Sequence, residues 1–153
     1  MNDFANDPAR RARVVRSLRI LSWTLPWLLI AVLIAIVLMF KHHEHAIRAQ
    51  IADAIATADG TRMAVAIYHA RTGNWPLDNA AAGLLSPSAV EGKYVDDVHI
   101  ETGMIVITLG GQADPRVHGS HIDLTPYLDG AVVRWRCKSR DVRPNFLPDD
   151  CRG

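Results

Sequence analysis

Ala46–Gly73, AIRAQIADAIATADGTRMAVAIYHARTG, is the stretch whose reading decides the fold. Ile47, Ile51, Ile55 and Ala58 recur at spacings of four and three, and Arg48, Asp53, Asp59 and Arg62 occupy the other side. That pattern predicts an amphipathic helix with a narrow apolar stripe, a surface that must be covered by something. Gly60 weakens the helix by about 1 kcal/mol relative to alanine, and Met63, Val65, Ala66, Ile67 and Tyr68 resume the pattern. Gly73 is placed to stop it, with Pro76 three residues on.

Upstream, Ile20–Phe40 is a run of 21 residues without a charge, interrupted by Pro26. As a helix it would reach ~32 Å, the thickness of bilayer hydrocarbon. Trp23 and Trp27 lie near its start, where indoles suit the headgroup boundary. Arg10, Arg11, Arg13, Arg16 and Arg19 precede the run and Lys41 follows it. This asymmetry predicts an N-terminus in the cytoplasm and a C-terminus outside. The run is longer than the core of a secretory signal and ends in Met39-Phe40-Lys41-His42, a poor cleavage context. The expected organisation is therefore a basic cytoplasmic tail (1–19), a single transmembrane helix (20–40) and an exported domain (41–153). The helix is expected from about Leu18 to Thr72, its first half in lipid.

Downstream, Asn74–Glu91 reads as a long connection broken by Pro76, Asp78, Asn79, Gly83, Ser86, Pro87 and Ser88. Strands are expected over Tyr94–Glu101, Met104–Leu109, Ile122–Thr125 and Ala131–Cys137, with Thr102-Gly103 as a two-residue hairpin loop. In the last, Arg134 and Arg136 face away from Val133 and Trp135. Hairpin-length links predict a four-stranded antiparallel sheet with one face covered, and the second half of the helix is the available cover. The fold class is α+β. Cys137 and Cys151, the only two cysteines, enclose 13 residues near the chain end. In an exported domain they are expected to form a disulfide, stabilising by roughly 3 kcal/mol in the chain-entropy model.

The run from Ala49 to Asn79, the order AGLLSPSAVEGKYVDDVHI, GMIVITLG, IDLTP, DGAVVRWRC, and the terminal FLPDDCR together resemble type IV pilins over about Ala46–Arg152. Gly73-Asn74-Trp75-Pro76 after the helix and a cysteine pair after Trp135 are the more specific pieces. The resemblance implies a long helix on a four-stranded antiparallel sheet, and subunits that stack through their helices into a surface fibre for adhesion, twitching or DNA uptake. It also implies an exposed segment between the cysteines that contacts receptors or neighbouring subunits. The N-terminal part departs from the family. No glycine occurs before Gly60 and no glutamate before Glu44. The glycine–phenylalanine junction of a prepilin leader and the glutamate beyond it therefore have no counterpart, and an uncleaved anchor is expected.

Formal net charge is +1, which provides no global field toward nucleic acid. The C-terminal end is locally basic, with Arg134, Arg136, Lys138, Arg140, Arg143 and Arg152 against Asp141, Asp149 and Asp150. Lys138, Arg140 and Arg143 are the binding-loop candidates for an anionic partner such as DNA or a surface receptor. His42, His43, Glu44 and His45 do not form HExxH and read as a hydrated collar, and His118 and His121 lack a completing ligand, so no metal site and no cofactor are expected. Ser86 and Ser88 have no nearby base, Gly110-Gly111 has no following lysine, and the paired carboxylates Asp96-Asp97 point to opposite faces of a strand. Enzyme activity is not expected.

The functional expectation is a pilus subunit or accessory in the bacterial inner membrane, with lipid and other pilins or assembly proteins as partners and a surface fibre as a further location. The alternative is a monomeric anchored module that binds or senses without polymerising. Trp75, Trp135, Ile47, Ile51 and Ile55 are the expected packing residues.

Overall fold

The computed structural model describes residues 8–84 and 92–152, with side chains from residue 25 onward. The side chains of the tail arginines and Trp23, and all of Ser86, Pro87, Ser88 and Glu91, lie outside the described residues. The chain forms two compact units, one ending at His42 and the other beginning at His43. The first is helical. Its side chains from Leu25 to Phe40 are exposed, and the helix is long and apolar enough to cross a membrane.

Helix α1 spans Pro8–Thr57 and α2 spans Asp59–Thr72, so the helix starts ten residues before Leu18. Pro26 is accommodated inside α1. The break falls at Ala58, just ahead of Gly60, whose weak helix propensity lowers the cost of an interruption there. Gly73 ends α2 in the left-handed conformation at φ 71°, and its N–H donates to the His69 carbonyl. In the second unit the buried stripe is Ile47, Ile51, Ala54, Ala58, Thr61 and Val65. Its spacing of four and three turns one narrow face to the sheet, and two alanines let helix and sheet approach closely. Ile55 flanks that stripe, half-buried against the core.

The sheet holds β1 Val95–Glu101, β2 Met104–Leu109, β3 His121–Asp129 and β4 Val132–Lys138, antiparallel in sequential order. Thr102 and Gly103 join β1 to β2 with φ of 50° and 85°, the backbone of a tight primed hairpin turn. Val98, Ile100, Ile105, Ile107, Leu109, Ile122 and Leu124 are buried on the helix-side face. β3 is longer than the Ile122–Thr125 expected from sequence. Pro126, the residue after that expected end, sits inside the strand, beyond the last β2 partner of β3, where a missing N–H is tolerated. A bulge at Asp96 shifts the β1–β2 register.

The 74–84 connection closes the free edge of β1. Asn79 is 6% exposed; its Nδ2 donates to the Val98 carbonyl at 3.1 Å and its Oδ1 accepts from the Ile100 N–H at 2.7 Å. The Thr102 N–H donates to the Leu77 carbonyl at 3.0 Å. One side chain thus imitates a strand on an edge that would otherwise be open to pairing.

Candidate functional site

The Cys137–Cys151 disulfide, with Cα atoms 4.5 Å apart, joins the last buried residue of β4 to a closing 3-10 turn, Asp149–Cys151. The segment it encloses is packed down along its length. Val142, Phe146 and Leu147 are buried. Arg48 Nη2 donates to the Asn145 carbonyl at 3.0 Å, and Arg152 Nε donates to the carbonyls of Pro144 and Leu147. The Arg116 guanidinium lies 5.5 Å from the Phe146 ring and also bonds Asp114, whose carboxyl it holds down at about 2. Ser139 donates to the His121 carbonyl and accepts from the Asp141 and Val142 N–H groups, folding the start of the segment onto β3.

This packing builds a groove of about 470 Å³ on the sheet face away from the helix. His99, Glu101, Asp123, His121, Arg140 and Asp141 line it, with buried Val106 as floor. The register explains the gathering: His99 pairs with Val106, and Val106 with Asp123. Asp97, His99 and Glu101 alternate along β1 and so share a face. His99 faces Asp97 at 2.6 Å through Nδ1 and Glu101 at 3.2 Å through Nε2. Only the imidazolium donates at both nitrogens. Burial opposes that charge, but the two carboxylates outweigh it and raise the His99 pKa. His121 Nδ1 lies 2.7 Å from Asp141, and this hydrogen bond, opposed by burial, lowers the Asp141 pKa.

Of the binding candidates, Lys138 stands opposite Asp123 on the outer face, Arg140 turns toward Asp123 at 3.4 Å, and Arg143 is exposed. The Arg140 side chain is 82% exposed, so this pair adds little stability. Arg134, Arg136 and Lys138 project in a row at alternate positions of β4. Trp75 stacks on His69 with centroids 3.8 Å apart and backs onto Gly103; Trp135 is half-buried against the core. Ile47 and Ile51 are fully buried. Among the described residues, no three His, Cys, Asp or Glu are arranged to hold a metal ion. The Gly111 N–H is taken by the Asp96 carboxylate at 2.7 Å, so this glycine pair binds an anion from its own chain.

Residues 47–152 match the family model for pilin, a bacterial filament protein. The chain belongs to the pilin family. This pilin is 32% identical over 125 residues to the type IV major pilin protein PilE of Neisseria gonorrhoeae, covering 79% of the chain and 75% of the relative. A PilE1 of the same organism is 31% identical over 138 residues, covering 78% and 84%. The fimbrial protein EcpC of Eikenella corrodens is 32% identical over 129 residues, covering 81% and 82%. The matched stretch takes in the buried helix stripe, the whole sheet and the disulfide segment, the parts that position every residue described above.

Two features of the pilin escaped the sequence reading. Asn79 looked like one breaker among several, because nothing local shows that its amide faces a strand. The groove draws on β1, β3 and the segment after β4, and only the Asp97-His99-Glu101 alternation hinted at it.

Proposed function

We propose that this pilin is a structural component of a type IV pilus, a fibre subunit or an accessory that engages other subunits. Its anchor is residues 20–40 in the bacterial inner membrane. The basic tail of residues 1–19 lies in the cytoplasm and the domain from residue 41 in the periplasm. The carrying observation is the family match over residues 47–152 together with a helix long and apolar enough for a membrane. The work assigned to it is structural rather than catalytic. Adhesion, motility or DNA uptake through Lys138, Arg140 and Arg143 is the finer reading. The outward row of Arg134, Arg136 and Lys138 supports it, while Glu101, Asp123 and Asp141 beside Arg140 oppose it.

Shearing cells and blotting the released and membrane fractions tests the reading. Recovery of the chain in sheared fibres is expected; strict retention in inner-membrane vesicles would leave a monomeric anchored module instead. Protease protection of a C-terminal tag in spheroplasts tests the orientation, and a shielded tag overturns it. Retention on DNA should fall steeply with salt; salt-independent retention contradicts phosphate recognition.

A further inference from the structure

The sheet ends in two unlike edges. β1 is closed by Asn79 and Leu77, whereas β4 has β3 on one side and no described strand on the other. β4 pairs with β3 without a bulge over all seven of its residues, and it contains no proline. Asp129 and Val132 flank the two-residue loop Gly130-Ala131 and so form a hydrogen-bonded pair, from which bonded and non-bonded pairs alternate along the ladder. Val133 and Trp135 fall in the non-bonded set, so their N–H and C=O groups point away from β3, toward the free edge. The pairing of Trp135 with Pro126 agrees, since proline has no N–H to give. Among the described residues no backbone group bonds to Val133 or Trp135 at that edge. The disulfide ties the closing turn to Cys137, beyond them. Leu84 and Gly92, which flank the undescribed residues 85–91, stand by β1, three strand spacings or about 14 Å away.

The side chains along this edge specify what it can take. On the inner face Val133 and Trp135 are half-buried, leaving apolar surface at the rim of the core. On the outer face stand Arg134, Arg136 and Lys138. Asp129 lies 3.6 Å from Arg134, and Asp123, opposite Lys138, lies 3.4 Å from Arg140. Asp141 is taken by His121 at 2.7 Å. Arg136 stands 5.4 Å from the Tyr127 ring and forms no ion pair among the described residues. The bases at this edge therefore outnumber the acids beside them, and an incoming strand meets uncompensated positive charge on one face and apolar surface on the other.

We propose that the outer edge of β4 accepts a strand from another protein, an extended segment that alternates acidic and apolar residues. Its backbone bonds the N–H and C=O groups of Val133 and Trp135. Its apolar side chains lie beside those two residues on the inner face, and its acids lie beside Arg134, Arg136 and Lys138 on the outer. The same bases reject a second copy, because β4 against β4 sets like charges side by side. The acids of β1, Asp97 and Glu101, cannot serve, because the edge of that strand is closed by its own chain. The inference goes beyond the filament reading and does not depend on it; the shear assay, whatever its result, leaves it untouched.

The test uses the full chain in detergent and three synthetic seven-residue peptides, the length of β4. One alternates valine and glutamate, one alternates valine and lysine, and the third is the glutamate peptide N-methylated along one edge. The glutamate peptide is expected to bind and to slow exchange of the Val133 and Trp135 amides at least about tenfold, leaving the Arg134 and Arg136 amides, already bonded to β3, unchanged. The other two peptides are expected not to bind. Arg134→Glu combined with Arg136→Glu alters two exposed side chains and should reverse the preference between glutamate and lysine peptides, by about tenfold in each direction. Equal binding of the N-methylated peptide would show charge attraction without strand addition and overturn the proposal. Binding of the lysine peptide as tight as that of the glutamate peptide, unchanged exchange at Val133 and Trp135, or no binding of the glutamate peptide would each do the same.

Discussion

Replacing Asn79 with alanine is expected to cost far more than a loop substitution ordinarily does. The Asn79 amide makes two bonds to backbone groups of β1, at positions where Val98 is 0% and Ile100 is 4% exposed. Truncation leaves the Ile100 N–H and the Val98 carbonyl buried beside an apolar methyl group, each unsatisfied group costing about 1–3 kcal/mol. Water entering the vacated space would recover part of this, which places the sum near 3 kcal/mol. For a unit of this size that is a fall in Tm of about 10–15 °C. The assay is thermal unfolding of the full chain in detergent, followed by circular dichroism with the disulfide intact. Exchange of the Ile100 amide should accelerate selectively, because its acceptor is gone while the β2 neighbours keep theirs. Asn79→Asp discriminates further. It keeps the acceptor for Ile100, but its carboxylate can donate to Val98 only when protonated. Its deficit should therefore shrink as pH falls through the raised pKa of a buried acid. A Tm within 2 °C of the parent, on the order of 0.5 kcal/mol, with Ile100 exchange unchanged, would refute the edge-closing role.

Serine at both Cys137 and Cys151 should lower stability by about 3 kcal/mol in urea titration, since the bridge spans 14 residues of sequence. Val142, Phe146 and Leu147 remain buried anchors, so the segment should stay protease-resistant below the transition. Gly103→Ala should cost about 2 kcal/mol, because φ of 85° disfavours a side chain and the new Cβ would lie 2.7 Å from that of Trp75; a shift in tryptophan emission should accompany it. The raised His99 pKa contributes stability fully present below the unfolded value near 6.5 and lost as pH rises through the folded value. The lowered Asp141 pKa acts oppositely, contributing above 3.8 and losing that contribution as pH falls through the folded value. Unfolding midpoints across pH for His99→Ala should lose the decline on the alkaline side and keep the acid one.

The helix and sheet were legible because their signals are local. The Ile47–Ile51 spacing, the Thr102-Gly103 turn and the alternation of Val98 with Ile100 each fit inside a few residues. The helix start at Pro8 was missed because a charged, arginine-rich segment carries no apolar period, although arginine itself favours helix. The length of β3 was missed because proline is a breaker only where its N–H has a partner to lose; at 126 the neighbouring strand has already ended. The outer groove was hidden for another reason. His99 and Asp123 become neighbours only through the register of β1, β2 and β3, and Asp141 joins them from the segment after β4; register is a property of pairing rather than of any one strand.

The two edges of the sheet are finished differently, and that difference bears on how such a domain can associate. At β1 the backbone is closed by Asn79 and by Leu77, so no strand can add there without first displacing a buried amide. At β4 no described strand pairs with the outer edge, which carries Arg134, Arg136 and Lys138 on one face, charges that oppose edge-to-edge pairing of identical strands. Both routes to indiscriminate β-sheet growth are therefore obstructed. Leu128 and Val132 stay exposed at the ribbon tip, on opposite faces, and Asp129, Arg134 and Arg136 share the outer one. A domain built this way resists aggregation through its backbone. Replacing Asn79 should first expose the β1 backbone. Unordered aggregation of Asn79→Ala, read as raised light scattering of the detergent-solubilised chain, is therefore expected, and scattering equal to the parent's would contradict the protection assigned to that amide.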